Sequence, residues 1–240
     1  MNHIGFTTGS LYYSKISLEE ITKLYSSLGA DAIELSFATP NQLIENKISK
    51  ETFYNLQKYK FISLHAPWKE VRYDFNEDTD KILDKLTNLC DTLPIRGIVL
   101  HPDTINRFEI LIQSGLPLLI ENMDKRKLYG TNSEQFKELK RKYNFGFVLD
   151  VQHAYEHDSS MQLAKEFISV IGNKLNHMHI SGSSESEIHV PTFNAINKEA
   201  ITNILKLNIN VPKILEGRLN KDIEETIKKE LEYVRSFEDY

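Results

Sequence analysis

Six short apolar runs end in, or close to, a side chain that can ligate a metal ion. Phe61-Ile62-Ser63-Leu64 leads to His65, Ile98-Val99-Leu100 to His101, Leu118-Leu119-Ile120 to Glu121 and Phe147-Val148-Leu149 to Asp150. His177-Met178-His179 carries two imidazoles, and Ile214-Leu215 is followed by Glu216. Any one of these residues alone has an ordinary reading as a hydrogen-bonded structural group. Several together do not, because burying ionisable side chains is costly unless they pair or coordinate a metal. Further donors lie close by in sequence. His153 follows Asp150 by three residues, and Glu187 and His189 sit in the loop after the seventh run. Five of the eight histidines (His65, His101, His153, His179 and His189) fall in this set. His3, His157 and His177 are expected at the surface or in support of it. Imidazole mixed with carboxylate, and no thiolate, suits Zn²⁺, Mn²⁺, Fe²⁺ or Co²⁺ better than Mg²⁺ or a structural cysteine-zinc site.

The elements that must position these groups alternate along the whole chain. The β-type runs are Ile4–Thr7, Ala32–Ser36, Phe61–His65, Gly97–His101, Pro117–Glu121, Phe145–Asp150, His177–Ser181 and Lys213–Glu216. Eight runs in 240 residues is one per 30, about the length of a βα unit. Helical patterns fill the gaps. Ser17-Leu18-Glu19-Glu20 has capping-box spacing ahead of Ile21, Leu24 and Leu28, and Thr131-Asn132-Ser133-Glu134 repeats the signal before Phe136 and Leu139. Further helices are expected over Asp78–Leu93, Ser159–Ile171, Asn197–Leu207 and Leu219–Phe237, with one within Pro40–Lys60 and a short one near Thr104–Ser114.

Strict alternation implies a parallel sheet covered by helices. An open doubly wound sheet would bury its strands as continuous apolar runs. Strands that end in ionisable residues instead suit a closed barrel with a site at its C-terminal mouth. The expected fold is therefore α/β, one (β/α)8 TIM barrel spanning residues 1–240 with a metal site at that mouth, and no composition shift divides it.

Composition narrows the partners. Forty per cent of residues are hydrophobic and 26% charged, and the net charge of −5 gives no global field toward nucleic acid or anionic membrane. The single Cys90 cannot form an intramolecular disulfide and fits a reducing compartment. No basic stretch precedes a long apolar run at Met1-Asn2-His3-Ile4-Gly5, and no window approaches the roughly 18 apolar residues of a membrane span. Cytoplasm is the expected compartment, no membrane partner is expected, and self-association is left open.

The segments Ser63-Leu64-His65-Ala66-Pro67-Trp68, Leu100-His101-Pro102, Ile120-Glu121-Asn122, Leu149-Asp150-Val151-Gln152-His153-Ala154 and His177-Met178-His179-Ile180 resemble, in order, the xylose-isomerase-like barrel superfamily. That group contains sugar isomerases and epimerases together with endonuclease IV. In the isomerase–epimerase branch the resemblance implies one divalent ion held by Glu121, Asp150, His179 and Glu216. Glu121 and Glu216 then double as the acid/base pair acting on a small sugar, polyol or sugar phosphate. In the endonuclease branch it implies up to three ions that also use His65, His101, His153, His189 and an acid near Glu187, with abasic DNA as substrate. The sequence lacks the glycine-rich stretches of endonuclease IV: Asn122-Met123-Asp124-Lys125 follows Glu121 and Val190-Pro191-Thr192-Phe193 follows His189. On that ground the isomerase or epimerase is the first expectation and the multi-metal phosphodiesterase the second. Ser181 and Ser183 in the loop after the seventh strand, with Arg218 after the eighth, are candidate substrate contacts of the kind barrels use for phosphate. Glu34 is read as a substrate hydrogen-bonder or a supporting partner.

Overall fold

Each of the eight expected β runs forms a strand, and the helix signals between them are met by real caps. The Ser17 hydroxyl accepts from the Glu20 amide while the Glu20 carboxylate accepts from the Ser17 amide at 2.9 Å. That reciprocal pair satisfies two of the otherwise orphaned first-turn donors. In the computed structural model, which describes residues 2–220 and 222–238, the order begins β1 (Ile4–Thr7), α1 (Leu18–Ser27), β2 (Ala32–Ser36), α2 (Pro40–Glu45), α3 (Lys50–Leu56) and β3 (Phe61–His65). It continues α4 (Glu77–Thr92), β4 (Ile98–Leu100), α5 (Phe108–Gln113), β5 (Leu118–Glu121), α6 (Ser133–Lys142), β6 (Gly146–Asp150), α7 (Val151–His157) and α8 (Gln162–Ile171). It ends β7 (Leu175–Ile180), β8 (Gly182–Ser183), β9 (Ile188–Val190), α9 (Lys198–Leu205), β10 (Lys213–Leu215) and α10 (Ile223–Arg235).

Eight parallel strands close in the order β1-β10-β7-β6-β5-β4-β3-β2. Ile4 pairs with Lys213 where the first and last strands meet, which excludes the open sheet. Strand residues alternate between two faces. Outward side chains such as Ile33, Leu64 and Phe147 pack with Tyr25, Leu86, Phe136, Phe167 and Leu231 of the helices in one continuous core. Inward side chains form two small separate clusters, Ala32–Phe61–Ile214 and Val99–Leu119–Val148. Two residues beyond Val99, Leu119, Val148 and Ile214 come His101, Glu121, Asp150 and Glu216. The same alternation that fills the barrel with apolar groups therefore sets the ionisable ones on its mouth.

Five details depart from the sequence expectations. The stretch within Pro40–Lys60 holds two short helices, since Ser49 starts a second cap after Asn46 leaves the helical region at ψ 134°. The cap of α6 is Asn132, because its side chain accepts from the Gln135 amide. After β6 a helix begins at once on Asp150, and Met161 at φ +61° separates it from α8, so the helix expected from Ser159 is the second of a pair. The expected Leu219–Phe237 helix runs Ile223–Arg235, with Lys221 outside the described residues. Past β7 the chain makes an antiparallel hairpin, β8–β9, which no periodicity announced. Among the described residues no helix is long and apolar enough to cross a membrane.

Candidate metal centre

Glu121, at the end of β5, is the hub of the mouth. Its Oε2 lies 3.0 Å from His101 Nε2 and 3.3 Å from His65 Nε2, while its Oε1 lies 2.8 Å from His179 Nδ1. His179 Nδ1 is also 3.3 Å from Glu216 Oε1. The opposite nitrogens show which way each ring faces. His65 Nδ1 sits 3.0 Å from the Ala66 carbonyl and donates to it, so Nε2 is the nitrogen that faces Glu121. His153 Nδ1 likewise donates to the Asn122 carbonyl at 2.9 Å.

Asp150 divides its two oxygens. Oδ1 caps α7 by accepting from the His153 amide at 2.7 Å, and that first helical turn aims His153 at the mouth. Oδ2 is buried and has no hydrogen-bond partner. An unpartnered buried carboxylate oxygen beside further carboxylates is unfavourable unless a cation meets it. Asn122 braces this corner, donating to the Asp150 carbonyl at 2.9 Å and accepting from the Asp150 amide at 2.7 Å. His189 arrives from the hairpin, 3.7 Å from Glu216 Oε2, at a left-handed φ of +58° that costs an L residue about 1–2 kcal/mol. Gly217 makes room for it, since a Cβ there would come within 2.6 Å of the Pro191 nitrogen.

Three sets of donor atoms at the mouth lie close enough to hold an ion each: His65–His101–Glu121, Asp150–His153–His189, and Glu121–Asp150–His179–Glu216. Glu121 and Asp150 each belong to two sets. In every set the donors lie within 4.8 Å of one another. Imidazole and carboxylate with no sulfur suit Zn²⁺, Mn²⁺, Fe²⁺ or Co²⁺, so the residues fit the implied ions.

Electrostatics without metal point the same way. Burial pushes Glu216 well above the ordinary carboxylate range, and the Asp150, Glu121 and Glu34 charges add to this. Burial would also raise Glu121, but the charge on His179 and hydrogen bonds from His101, His179 and His65 hold it well below that range. Burial disfavours the charged form of His179, yet Glu216, Glu34 and Glu121 outweigh it and hold the ring well above its usual value. Burial lowers His101 and takes His189 down to about 4, so both are neutral donors at pH 7. A proton on the His179–Glu216 pair occupies the negative pocket that a metal cation would neutralise.

Not every expected residue reaches the site. Glu187 is exposed at the hairpin tip and belongs to none of the donor sets. Glu187 precedes β9 at the tip, in solvent, whereas the left-handed backbone at His189 brings its ring to Glu216. Ser181 is buried beneath His189, 2.9 Å from its Nδ1, and the Ser183 amide is taken by Asn197 Oδ1 at 2.8 Å. Neither serine lines the cavity, so the structure does not place them as substrate contacts. Glu34 is fully buried below His179, two residues short of the mouth, and does not line the cavity either. Arg218 does line the cavity. His177 is fully buried in the barrel beside Glu34 and His179, whereas His3 pairs with Asp31 at 2.8 Å and His157 meets the Met123 carbonyl.

The cavity above the donors has a volume of about 560 Å³. Sequence reasoning missed much of its wall. Trp68 packs against the His65 ring at 4.6 Å and the His101 ring at 5.7 Å, and Tyr12 and Tyr13 stand exposed at the rim. Lys69 lies over Tyr12, Arg218 over Tyr13, and Arg126 and Lys127 complete a cationic edge. Trp68 was legible, three residues after His65; the rim was not, because it joins loops far apart in the chain.

Solved structures share this architecture. A D-tagatose 3-epimerase-like protein is 18% identical, with 98% of each chain covered and a TM-score of 0.67. Endonuclease IV from Thermus thermophilus is 17% identical, with 98% of each chain covered and a TM-score of 0.70. The probable 3-DHS dehydratase of Bacillus anthracis is 16% identical over 98% of this chain and 99% of that one, with a TM-score of 0.73. At such identities the likeness shows the fold alone. No curated protein sequence matches the chain. The sequence model of one family does match, over residues 55–237. That span takes in every strand from β3 to β10 and all the donors at the mouth, and the chain belongs to the xylose isomerase-like TIM barrel family.

Proposed function

We propose that the chain is a divalent-metal-dependent phosphodiester hydrolase that uses up to three ions, with an abasic site in nucleic acid as its substrate. One observation carries this reading. A single ion held by Glu121, Asp150, His179 and Glu216 has no use for His65, His101, His153 and His189. Those four nevertheless converge on the same cavity floor in two further sets that share Glu121 and Asp150. This geometry favours the second sequence expectation over the first.

Bound ions of this kind supply an activated water at neutral pH and stabilise charge on the attacking and leaving oxygens. The chain's own residues orient the reaction. Ala66 and Asn122 hold protons on Nδ1 of His65 and His153, and Trp68 packs against the His65 and His101 rings. Arg218 and Lys69 place positive charge at the rim, where a diester phosphate would enter. Among the described residues neither is paired with a carboxylate in an ion pair. Arg126 and Lys127 are already engaged by Asp124 and Asp103, both at 2.7 Å.

The test is cleavage of an abasic-site duplex at low salt, where phosphate contacts are strongest. Chelator-sensitive cleavage that is lost in His65→Ala and His101→Ala is the expected result. The isomerase or epimerase reading has its own support, since Glu121 and Glu216 reach His179 Nδ1 together and the cavity suits a small ligand. Ketoses and their phosphates incubated in D₂O decide it. Deuterium uptake at the carbon beside the carbonyl, surviving both histidine changes and accompanied by no duplex cleavage, would replace the hydrolase with a single-ion isomerase.

A further inference from the structure

Beneath the mouth, the barrel holds a polar column that no ligand set at the mouth requires. Glu34 on β2 and His177 on β7 are both fully buried. The Ser63 hydroxyl donates to Glu34 Oε2 at 2.8 Å. His177 Nε2 lies 3.2 Å from the same oxygen and 3.2 Å from His179 Nε2. His179 Nε2 lies 3.3 Å from each Glu34 oxygen. An ionised carboxylate inside a barrel needs a reason, because an apolar pair of similar volume would be cheaper to bury.

Counting donors supplies the reason. The Asn176 amide nitrogen donates to the Arg96 carbonyl at 3.3 Å, which turns its oxygen toward His177 Nδ1 at 2.8 Å. His177 therefore carries a proton on Nδ1, and its neutral form presents only a lone pair at Nε2. His179 Nε2 then faces acceptors on both sides, the Glu34 carboxylate and the His177 lone pair. Its own proton is the one that bridges them. With one proton held at Nε2, a cation can take the place of the proton shared at Nδ1 and meet a lone pair aimed between Glu121 Oε1 and Glu216 Oε1. Had the proton settled on Nδ1, the ring could donate to Glu121 but could not ligate an ion there.

We propose that Glu34 is a positioning residue for the metal centre. It holds the His179 proton on Nε2, orients the ring and, as an anion, makes Nδ1 a stronger donor. His177, anchored through Asn176 to the Arg96 carbonyl at the N-terminal end of the barrel, keeps the second flank of Nε2 free of competing donors. A carboxylate hydrogen-bonded behind a ligating imidazole changes metal affinity by about 10–100-fold. The proposal rests on the metal-centre reading but not on the reaction, so binding can test it without any substrate.

The experiment titrates wild type, Glu34→Gln and Glu34→Ala with Co²⁺ against a competing chelator, and records visible absorption and circular dichroism of the same samples. Gln keeps the shape and an acceptor for His179 but loses the charge; Ala loses both. The weakest affinity and an altered Co²⁺ spectrum are expected for Ala, with an intermediate affinity for Gln and unchanged metal-free dichroism. A merely structural Glu34 would lower thermal stability without moving the affinity or the spectrum of the folded fraction. Wild-type affinity in a folded Ala variant overturns the proposal. If Ala does not fold, wild-type affinity and spectrum in Gln overturn it. A wild-type protein that binds no Co²⁺ removes the metal centre itself, a failure distinct from an unchanged variant.

Discussion

Replacing His101 by Ala separates a multi-ion centre from a single-ion one. The change removes one of three donors in the His65–His101–Glu121 set and leaves the other sets at the mouth intact. Two costs follow. Without metal, the variant loses the buried contact of His101 Nε2 with Glu121 Oε2 at 3.0 Å, and a hydrogen bond to a charged group contributes about 1.5–3 kcal/mol. For a chain of this size each kcal/mol shifts the melting temperature by about 2–4 °C, so the metal-free variant should melt about 3–12 °C lower. With metal, an ion at 100 times its dissociation constant stabilises the fold by about 2.7 kcal/mol, or about 5–11 °C. The variant should lose that increment for one ion while keeping it for the others. Trp68 is the sole tryptophan and touches both rings of the set, so its fluorescence reports on this ion. Elemental analysis should find one ion fewer per chain, and quenching of Trp68 by Co²⁺ should shift to higher concentration. An unchanged ion count, with unchanged quenching and an unchanged metal-induced melting shift, would refute the shared three-ion geometry.

Further outcomes follow from the same geometry. His189 is held neutral down to about pH 4, below the roughly 6.5 of an unfolded histidine, so the unfolded chain binds more protons in that interval. The metal-free protein should therefore lose stability through His189 as pH falls from about 6.5 through 4; His189→Gln should flatten that part of the denaturation curve, and a curve of unchanged slope would count against a neutral His189. Arg218→Ala should raise KM for an anionic substrate several-fold with little change in kcat, and weaken its salt dependence; an unchanged KM would remove Arg218 from substrate binding. Glu187→Ala should leave ion count and affinity as in wild type, because the side chain lies in solvent; losing an ion would show that the hairpin folds inward when metal binds.

The alternation of apolar runs with capped helices was enough to place all eight strands of the barrel. Period-two patterning is a local property, and parallel strands must all present their ends on one side. The convergence of His65, His101, Glu121, Asp150, His179 and Glu216 was legible for the same reason: each terminates an inward-facing line of one strand. Local reasoning failed where a neighbour from elsewhere decides. Glu187 and His189 read alike as donors in one loop, but the left-handed turn at His189 and the space at Gly217 bring one to Glu216, while the other stays at the hairpin tip in water. Ser181 and Ser183 have the chemistry of phosphate contacts, yet His189 and Asn197 claim them from other segments. Asp150 announced a ligand; that it also caps α7, and so delivers His153, depends on the turn the chain makes beyond β6. Whether a buried carboxylate such as Glu34 faces substrate or stands behind a ligand is a matter of depth along the barrel axis. That depth comes from the stagger of β2 against β3 and of β7 against β10, which only closure of the sheet sets.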